Sequence, residues 1–425
     1  MVEELQIPDW LAKRLERPVA VFGAGSSGLA ARDLANALGA EAVVFDERAK
    51  GDYDRRFDRD AAGQFGLAIT SPGFPEDHPW LIAAREGGCE VIAEFDFGAL
   101  LWKGPIIAVT GTNGKTTLTE FLEKAFVSSG TEAFAVGNLG RPLSEVLAKG
   151  LNPEAIAVAE VSSFQAAEIR YMKPDYVLWS NFDEDHLDRH GNLKRYFAAK
   201  YRLVEQAGQE NVFYGGSVRR FAESEGFALD EAGFVGNHAC SEVLGLKGTD
   251  FDSMPELKNY LKARALWLRM GFPEDELIEA AHNFRKSPHR MELVRNLNGV
   301  SFWDDSKATN FHATLGGLAR FAEPVLWIGG GKGKGGDLER FCERLFTQVS
   351  EAHLIGETRS ELRALLESRG VKTELHDGLE AAVERAFENT NPGDNVLLSP
   401  GFASFDMFDG YKHRGEIFRK VVNAL

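Results

Sequence analysis

The chain has 425 residues, 44% of them hydrophobic and 26% charged, with a formal net charge of −16. That length exceeds one ordinary core and points to several domains. The acidic balance excludes a general binder of nucleic acid or of anionic membrane, and it leaves room for an anionic small substrate only where basic residues gather locally. Residues 1–5 are acidic at their core and lack the basic start and apolar stretch of a signal peptide. No apolar run is long enough to span a bilayer. Cys89, Cys240 and Cys342 form no metal-type pairs, so reduced thiols in the cytoplasm are the simple inference.

The first apolar strand is predicted at 19–22. It is followed by Gly23-Ala24-Gly25-Ser26-Ser27-Gly28, a helix to about Leu38, and a second strand at 42–45 that ends at Asp46. Strand, glycine turn, helix, strand and acid in this order form a nucleotide-binding unit. By itself the layout suggests NAD or FAD. However, only about 100 residues precede the next phosphate loop, which is tight for a complete dinucleotide fold. A smaller unit gripping one nucleotide diphosphate fits better, and Ser71-Pro72-Gly73 ends a further strand where it could close over that ligand.

Residues 106–109 form an apolar strand that breaks into Thr110-Gly111-Thr112-Asn113-Gly114-Lys115-Thr116-Thr117. Leu118, Phe121, Leu122, Ala125 and Phe126 then recur at helical spacing, with Gly130 placed to end the helix. A glycine turn between strand and helix aims backbone N–H groups and the positive end of the helix dipole at an anion. Lys115 would reach the outer phosphates of a nucleotide, and Thr116 would offer a hydroxyl to Mg²⁺. Val109 stands where the usual pattern has its first glycine, so the match is to a shortened form.

Further along, Asn138 lies between glycines at a strand end. Glu160 closes an apolar strand at 155–161, an expensive place for a carboxylate unless it is paired or metal-bound. The strand at 176–179 runs into Asn181 to Arg189, rich in acids and histidine, which suits either a Mg²⁺–phosphate site or an acidic helix start. A helix carrying Tyr196, Phe197 and Lys200 follows. Residues 215–255 are uninformative and read as loop-rich, and 259–270 reads as an amphipathic helix.

A third unit is predicted from about Gly299. Its strands end in Asp304-Asp305-Ser306-Lys307-Ala308-Thr309-Asn310, in the Gly329–Asp337 run containing Lys332 and Lys334, and in Ser399-Pro400-Gly401-Phe402-Ala403-Ser404-Phe405. Three strand ends bringing lysine, hydroxyl and glycine to one edge should bind an anion.

Taken together, the Thr110–Thr117 loop, Glu160-Val161-Ser162-Ser163-Phe164-Gln165, the Asn181–Arg189 run, Pro288-His289-Arg290, Asp305–Asn310 and Ser404-Phe405-Asp406-Met407-Phe408 resemble, in this order, the Mur ligases of peptidoglycan synthesis. The resemblance covers nearly the whole chain. It implies an α/β fold of three domains: an N-terminal Rossmann-like domain over 1–102 for a UDP-sugar, a central P-loop mononucleotide-binding domain over 103–296 for ATP, and a C-terminal Rossmann-like domain over 297–425 for an amino acid. The implied reaction is ATP-driven amide formation through an acyl phosphate. The Asp305–Asn310 and Ser404–Phe408 motifs are those of the member that adds D-glutamate, so UDP-N-acetylmuramoyl-L-alanine and D-glutamate are the implied substrates, with ATP and Mg²⁺ as cofactors. A cytoplasmic monomer, with no nucleic-acid or membrane partner, is expected.

The resemblance also implies residue roles. Lys115, Glu160, His186 and Lys200 form the catalytic set. Gly111, Thr112, Asn113, Gly114, Lys115, Thr116 and Thr117 hold ATP with Asn259, Arg290 and Asp305. Thr116, Glu160, His186 and Lys200 support metal, Lys200 as an N-carbamate. Such an adduct needs a neutral amine. Ser26, Ser27, Asp46, Ser71 and Gly73 match the uridine-diphosphate site and Asn138 the sugar–peptide end. Lys307, Thr309, Lys334, Ser404, Phe405 and Tyr411 match the amino-acid pocket.

The chain departs from the family at Ser253-Met254-Pro255-Glu256, ahead of Asn259, and at Gly401-Phe402, which adds bulk beside the amino-acid pocket. L-glutamate or another acceptor therefore stays open, as does an NAD(P)-dependent oxidoreductase built on Gly23 to Asp46. A non-catalytic protein on a decayed ligase scaffold and a folate-type polyglutamate ligase are further alternatives.

Overall fold

Four short apolar strands start the chain: β1 (Val19–Phe22), β2 (Ala42–Phe45), β3 (Leu67–Thr70) and β4 (Glu90–Ala93). In the computed structural model, which describes residues 5–47, 56–72, 74–75, 77–138, 140–236 and 245–425, they form one parallel sheet in the order β2-β1-β3-β4. Parallel strands are covered on both faces, which is why they read as unbroken apolar runs. Phe22, Phe45, Phe57, Phe65 and Trp80 fill one side of this sheet as an aromatic cluster.

The second sheet contains β5 (Ile106–Thr110), β6 (Ala133–Gly137), β7 (Ile156–Glu160), β8 (Tyr176–Trp179) and β9 (Val212–Tyr214), all parallel, in the order β6-β7-β5-β8-β9. The glycine-loop strand β5 is thus central, with Glu160 ending one neighbour and Asn181 following the other. The helix Lys115–Ser128 packs its predicted face against this sheet. Leu118, Phe121, Leu122, Ala125 and Phe126 are wholly buried and meet Tyr260, Trp267 and Phe284. At ~1.5–3 kcal/mol for each large side chain removed from water, this packing holds the start of the helix, and the loop before it, in place.

These two sheets belong to one compact unit, residues 1–182 and 197–284. Polar stitches join the segments around them. The Asp96 carboxylate accepts from the backbone N–H groups of Arg170, Tyr171 and Met172, and Glu94 Oε1 accepts from Ser144 N at 3.0 Å.

Residues 183–196 and 285–425 form a second compact unit. Its six-stranded sheet contains β10 (Glu292–Leu297), β11 (Val300–Asp304), β12 (Val325–Gly329), β13 (Val349–Leu354), β14 (Lys372–Leu375) and β15 (Asn395–Leu398), in the order β10-β11-β15-β12-β13-β14. All neighbours are parallel except the β10–β11 hairpin. Its two-residue turn, Asn298-Gly299, has both residues left-handed (φ 55° and 84°), the geometry that matches the twist of the strands.

Three features differ from the expectations. Residues 216–225 form a helix, Gly216–Glu225, within a stretch read as loop-rich; Val218 and Ala222 bury its narrow apolar face, too short a stripe to register as a period. The helix anticipated at 259 starts earlier, at Glu256, so Asn259 sits inside it. The third sheet begins with β10, seven residues before Gly299, and the acidic run from Asp183 groups by its contacts with this unit rather than with the phosphate loop's sheet.

Candidate active site

The glycine loop is braced by the residues that follow β8. Asn181 makes a two-way contact with Asn113, its Oδ1 accepting from Asn113 N and its Nδ2 donating to Asn113 O, each at 2.9 Å. Thr112 N donates to Asn181 O. Ser180 Oγ donates to the carbonyls of Thr110 and Asn113. Gly114, the residue before the helix, has φ +79°, and a Cβ there would lie 2.4 Å from Asn259 Nδ2. Only glycine lets Asn259 pack this close to the loop.

Two lysine amines converge on this loop. Lys115 Nζ donates to the carbonyls of Gly111 and Thr112, both at 2.9 Å. Lys200, 1% exposed, donates to the same Gly111 carbonyl at 2.9 Å and contacts Thr110 Oγ1 at 3.3 Å. Thr116 and Thr117 are buried in the first helical turn. On the neighbouring strand, Glu160 pairs in register with Val109 and is 2% exposed. Its Oε1 accepts from Asn138 Nδ2 at 2.7 Å, while its buried Oε2 makes no hydrogen bond. A buried carboxylate oxygen left unmet is costly, and a hard cation such as Mg²⁺ takes oxygen ligands of this kind. The residues present therefore fit a metal.

In the first sheet, Asp46 Oδ2 accepts from Ala24 N at 2.7 Å and so closes the glycine turn. A Cβ at Gly28 would lie 1.8 Å from Gly23 O, so helix and strand meet there without space for a side chain. Ser26 and Ser27 open the helix. Ser71 follows β3, and its buried Oγ lacks a hydrogen-bond partner while lying beside the turn. Gly73 lies outside the described residues.

In the second unit, the loops after β11, β12 and β15 meet as the sequence suggests. His186, Thr309, Lys334, Ser404, Phe405 and Tyr411 line one cleft of ≈ 590 Å³. Lys334 Nζ lies 3.5 Å from Asp185 Oδ1, and Asn310 Nδ2 donates to Asp185 Oδ2 at 3.0 Å. Lys307 Nζ sits 5.0 Å from the Tyr411 ring centroid. Lys334 reaches the cleft, whereas Lys332 bridges through its backbone to Ala403. Phe405 is 71% exposed at the mouth.

Beneath the loops lies a buried charged network. Asp305 Oδ2 accepts from Ser399 Oγ at 2.7 Å and its Oδ1 from Met291 N. Burial pushes its carboxyl up to about 7, against the pull of those hydrogen bonds. His289 Nδ1 is 2.6 Å from Asp304 Oδ2. Arg290, between the left-handed residues His289 and Met291, keeps a buried Nε with no hydrogen-bond partner. Arg414, wholly buried, donates to the carbonyls of Ser306 and Phe402 and to Ser306 Oγ, tying two of the loops together. Burial lowers its guanidinium to about 10 although Asp406, Asp304 and Asp305 oppose the shift.

The first unit thus groups Lys115, Thr116, Lys200, Asn259 and Glu160 around one loop, and the second groups His186 with Thr309, Lys334, Ser404, Phe405 and Tyr411 around one cleft, with Lys307 beside Tyr411. Sequence reasoning singled out the Asn181–Arg189 run, Pro288-His289-Arg290 and the strand ends at Asp304 and Ser399, but gave no individual role to Ser180, Asn181, Asp185, Asp304, His289, Ser399 or Arg414. The adjacent acids Asp304-Asp305 and the Pro288-His289-Arg290 run were usable signals for two of these. A lone arginine in an amphipathic helix offers none.

The comparisons with known proteins agree with this architecture. Residues 109–215 match the Mur ligase middle domain, and 289–402 match the Mur ligase glutamate ligase domain. Among solved structures, a UDP-N-acetylmuramate–alanine ligase of Thermotoga maritima superposes with a TM-score of 0.61 at 16% identity, covering 96% of this chain and 99% of that one. A pseudomurein peptide ligase of Methanothermus fervidus gives 0.61 at 18% identity, over 95% and 100%. At such identities the fold alone is shared. The chain belongs to the Mur ligase family. Its sequence is similar over its length to two proteins named UDP-N-acetylmuramoylalanine–D-glutamate ligase. One, from Syntrophotalea carbinolica, is 35% identical, covering 98% of this chain and 99% of the relative. The other, from Aquifex aeolicus, is 32% identical, over 95% and 97%.

Proposed function

We propose that this protein joins D-glutamate to UDP-N-acetylmuramoyl-L-alanine in an ATP-dependent ligation of peptidoglycan precursor synthesis. The observation that carries this reading is the convergence of Lys115 and Lys200 on the Gly111 carbonyl, each at 2.9 Å, in a chain that aligns end to end with D-glutamate ligases. The substrate carboxylate attacks the γ-phosphorus of ATP, the bond to the bridging oxygen breaks, and ADP leaves an acyl phosphate. The amine of glutamate then attacks the acyl carbon, and phosphate departs from the tetrahedral intermediate to leave the amide. Carboxylate, triphosphate and glutamate are all anionic, so positioning and charge stabilisation dominate the barrier.

The residue assignments follow the same logic. Lys115 turns from its loop carbonyls to the β- and γ-phosphates, with the N–H groups of 111–117 around them. Thr116 and Glu160 would hold Mg²⁺, which neutralises charge on the phosphate oxygens. Lys200, buried against the loop, is the residue that would carry the N-carbamate. His186, Arg290, Asp305 and Asn259 act on metal and nucleotide. Ser26, Ser27, Asp46, Ser71, Gly73 and Asn138 serve the UDP-sugar. Lys307, Thr309, Lys334, Ser404, Phe405 and Tyr411 serve glutamate, with lysine and hydroxyl groups holding its side-chain carboxylate. The three domains run from 1 to 102, from 103 to just before β10, and from β10 to 425, in a monomeric cytoplasmic enzyme. Among the described residues, no helix is long and apolar enough to cross a membrane.

The test is a panel of amino acids of both hands, assayed for phosphate release and product mass with UDP-N-acetylmuramoyl-L-alanine, ATP and Mg²⁺. D-glutamate alone should support turnover. Equal turnover with L-glutamate, or none with either, overturns the reading.

A further inference from the structure

Away from the cleft, at the outer edge of the third sheet, β13 and β14 run side by side with His353 opposite Glu374 and Glu351 opposite Lys372. Alternation along a strand puts Glu351 and His353 on one face of β13. Glu374 and, two residues on, His376 project from the same face of the ribbon. His353 is wholly buried. Its Nδ1 lies 3.0 Å from His376 Nε2, and one ligand atom from each of His353, Glu374 and His376 falls within 4.8 Å of the others.

We propose that His353, His376 and Glu374 form a binding site for a borderline divalent transition-metal ion, Zn²⁺ foremost, separate from the nucleotide and amino-acid sites. Imidazole and carboxylate together suit Zn²⁺, Ni²⁺ or Cu²⁺, whereas Mg²⁺ prefers oxygen alone. Two ring nitrogens 3.0 Å apart are close to the spacing of neighbouring donors around tetrahedral zinc, roughly 3.3 Å from Zn–N bonds of about 2 Å. The other nitrogen of His353 strengthens the assignment. Nε2 makes no hydrogen bond in the buried interior and lies 3.4 Å from Glu351 Oε1. A metal-bound histidine is ordinarily held by a carboxylate at its second nitrogen, and Glu351 stands in that position.

The surroundings limit affinity. Arg385 Nε holds Glu374 Oε2 at 2.8 Å, and Lys372 Nζ holds Glu351 Oε1 at 2.9 Å and approaches Glu374. Glu374 Oε1, which Asn389 contacts at 3.4 Å, is the oxygen left for the ion, and the exposed Lys372 can swing outward. A bound ion would clamp the edge strand β14 onto β13.

The test is Zn²⁺ uptake by the chelator-stripped full chain in millimolar Mg²⁺, measured by equilibrium dialysis, with the visible absorption of Co²⁺ as a second readout. The wild type should take up about one ion per chain in the micromolar range or tighter, with the intense Co²⁺ bands of a low-coordinate site. His376→Ala and Glu374→Gln should each weaken uptake by about tenfold or more while retaining ligase turnover in Mg²⁺. His186→Asn should leave uptake unchanged. Unaltered uptake in both edge-strand variants, loss of uptake in His186→Asn, or no uptake by the wild type overturns the proposal.

Discussion

Glu94 is a buried carboxyl that accepts from Ser144 N, and replacing it with glutamine should stabilise the protein in a pH-dependent way. Burial pushes Glu94 from 4.5 up to about 7, against the hydrogen bond from Ser144 N. The sign follows from proton binding: between pH 4.5 and 7 the unfolded chain has lost this proton and the folded chain retains it. Folded-state stability therefore falls as pH rises through that window and levels off above it. At ~1.4 kcal/mol for each tenfold change in proton affinity, the full effect is ~3 kcal/mol. Glutamine keeps the volume and the oxygen that accepts from Ser144, and it does not ionise. Any cost of burying its amide is the same at every pH. The advantage of Glu94→Gln over wild type should therefore grow by ~3 kcal/mol between pH 4.5 and pH 8.5, because other titrating groups cancel between the two proteins. Urea unfolding at both pH values, followed by the fluorescence of Trp102 and Trp179 in the same compact unit, measures it. An advantage that stays constant within ~0.5 kcal/mol would refute the reasoning.

Lys115→Ala should cut phosphate release by ~100-fold or more, the scale for removing one charge-stabilising donor; normal turnover would overturn its assignment to the phosphates. Lys200→Ala should cripple turnover, with part of the rate restored by added acetate or formate, and no rescue at any concentration would count against an anionic group at that position. Gly114→Ala should weaken ADP binding, measured by isothermal titration. Its left-handed backbone alone costs ~1–2 kcal/mol, and the new methyl would meet Asn259 Nδ2 at 2.4 Å. Asp96→Ala should lower the melting temperature more than Asp96→Asn, since alanine strands three backbone N–H groups that the carboxylate accepts and asparagine retains one acceptor.

The parts legible in the sequence were those with a strong local grammar. Strand β5, its glycine turn and the apolar stripe of the next helix stand where 106–130 placed them, because periodicity, glycine and burial all agree there. The strand ends carrying Asp305, Lys334 and Ser404 could be read as one edge because each apolar run stops in polar, turn-forming residues. Strand β10 went unread because a half-exposed edge strand alternates weakly, and β13 and β14 carried no motif. The Glu160–Asn138 pair was also illegible: two residues on different strands meet only through the register of β6 on β7. Asp46 bonds the turn at Ala24, a contact that spacing suggested only as an acid near a nucleotide.

A single guanidinium, that of Arg414, grips the loops after β11 and β15 from below. On the proposed assignment, choice of amino acid can be retuned at the tips, by Phe405 or Lys334, while the frame beneath them keeps its dimensions. Laboratory evolution toward a different acceptor should accumulate changes at the rim and leave that anchor untouched.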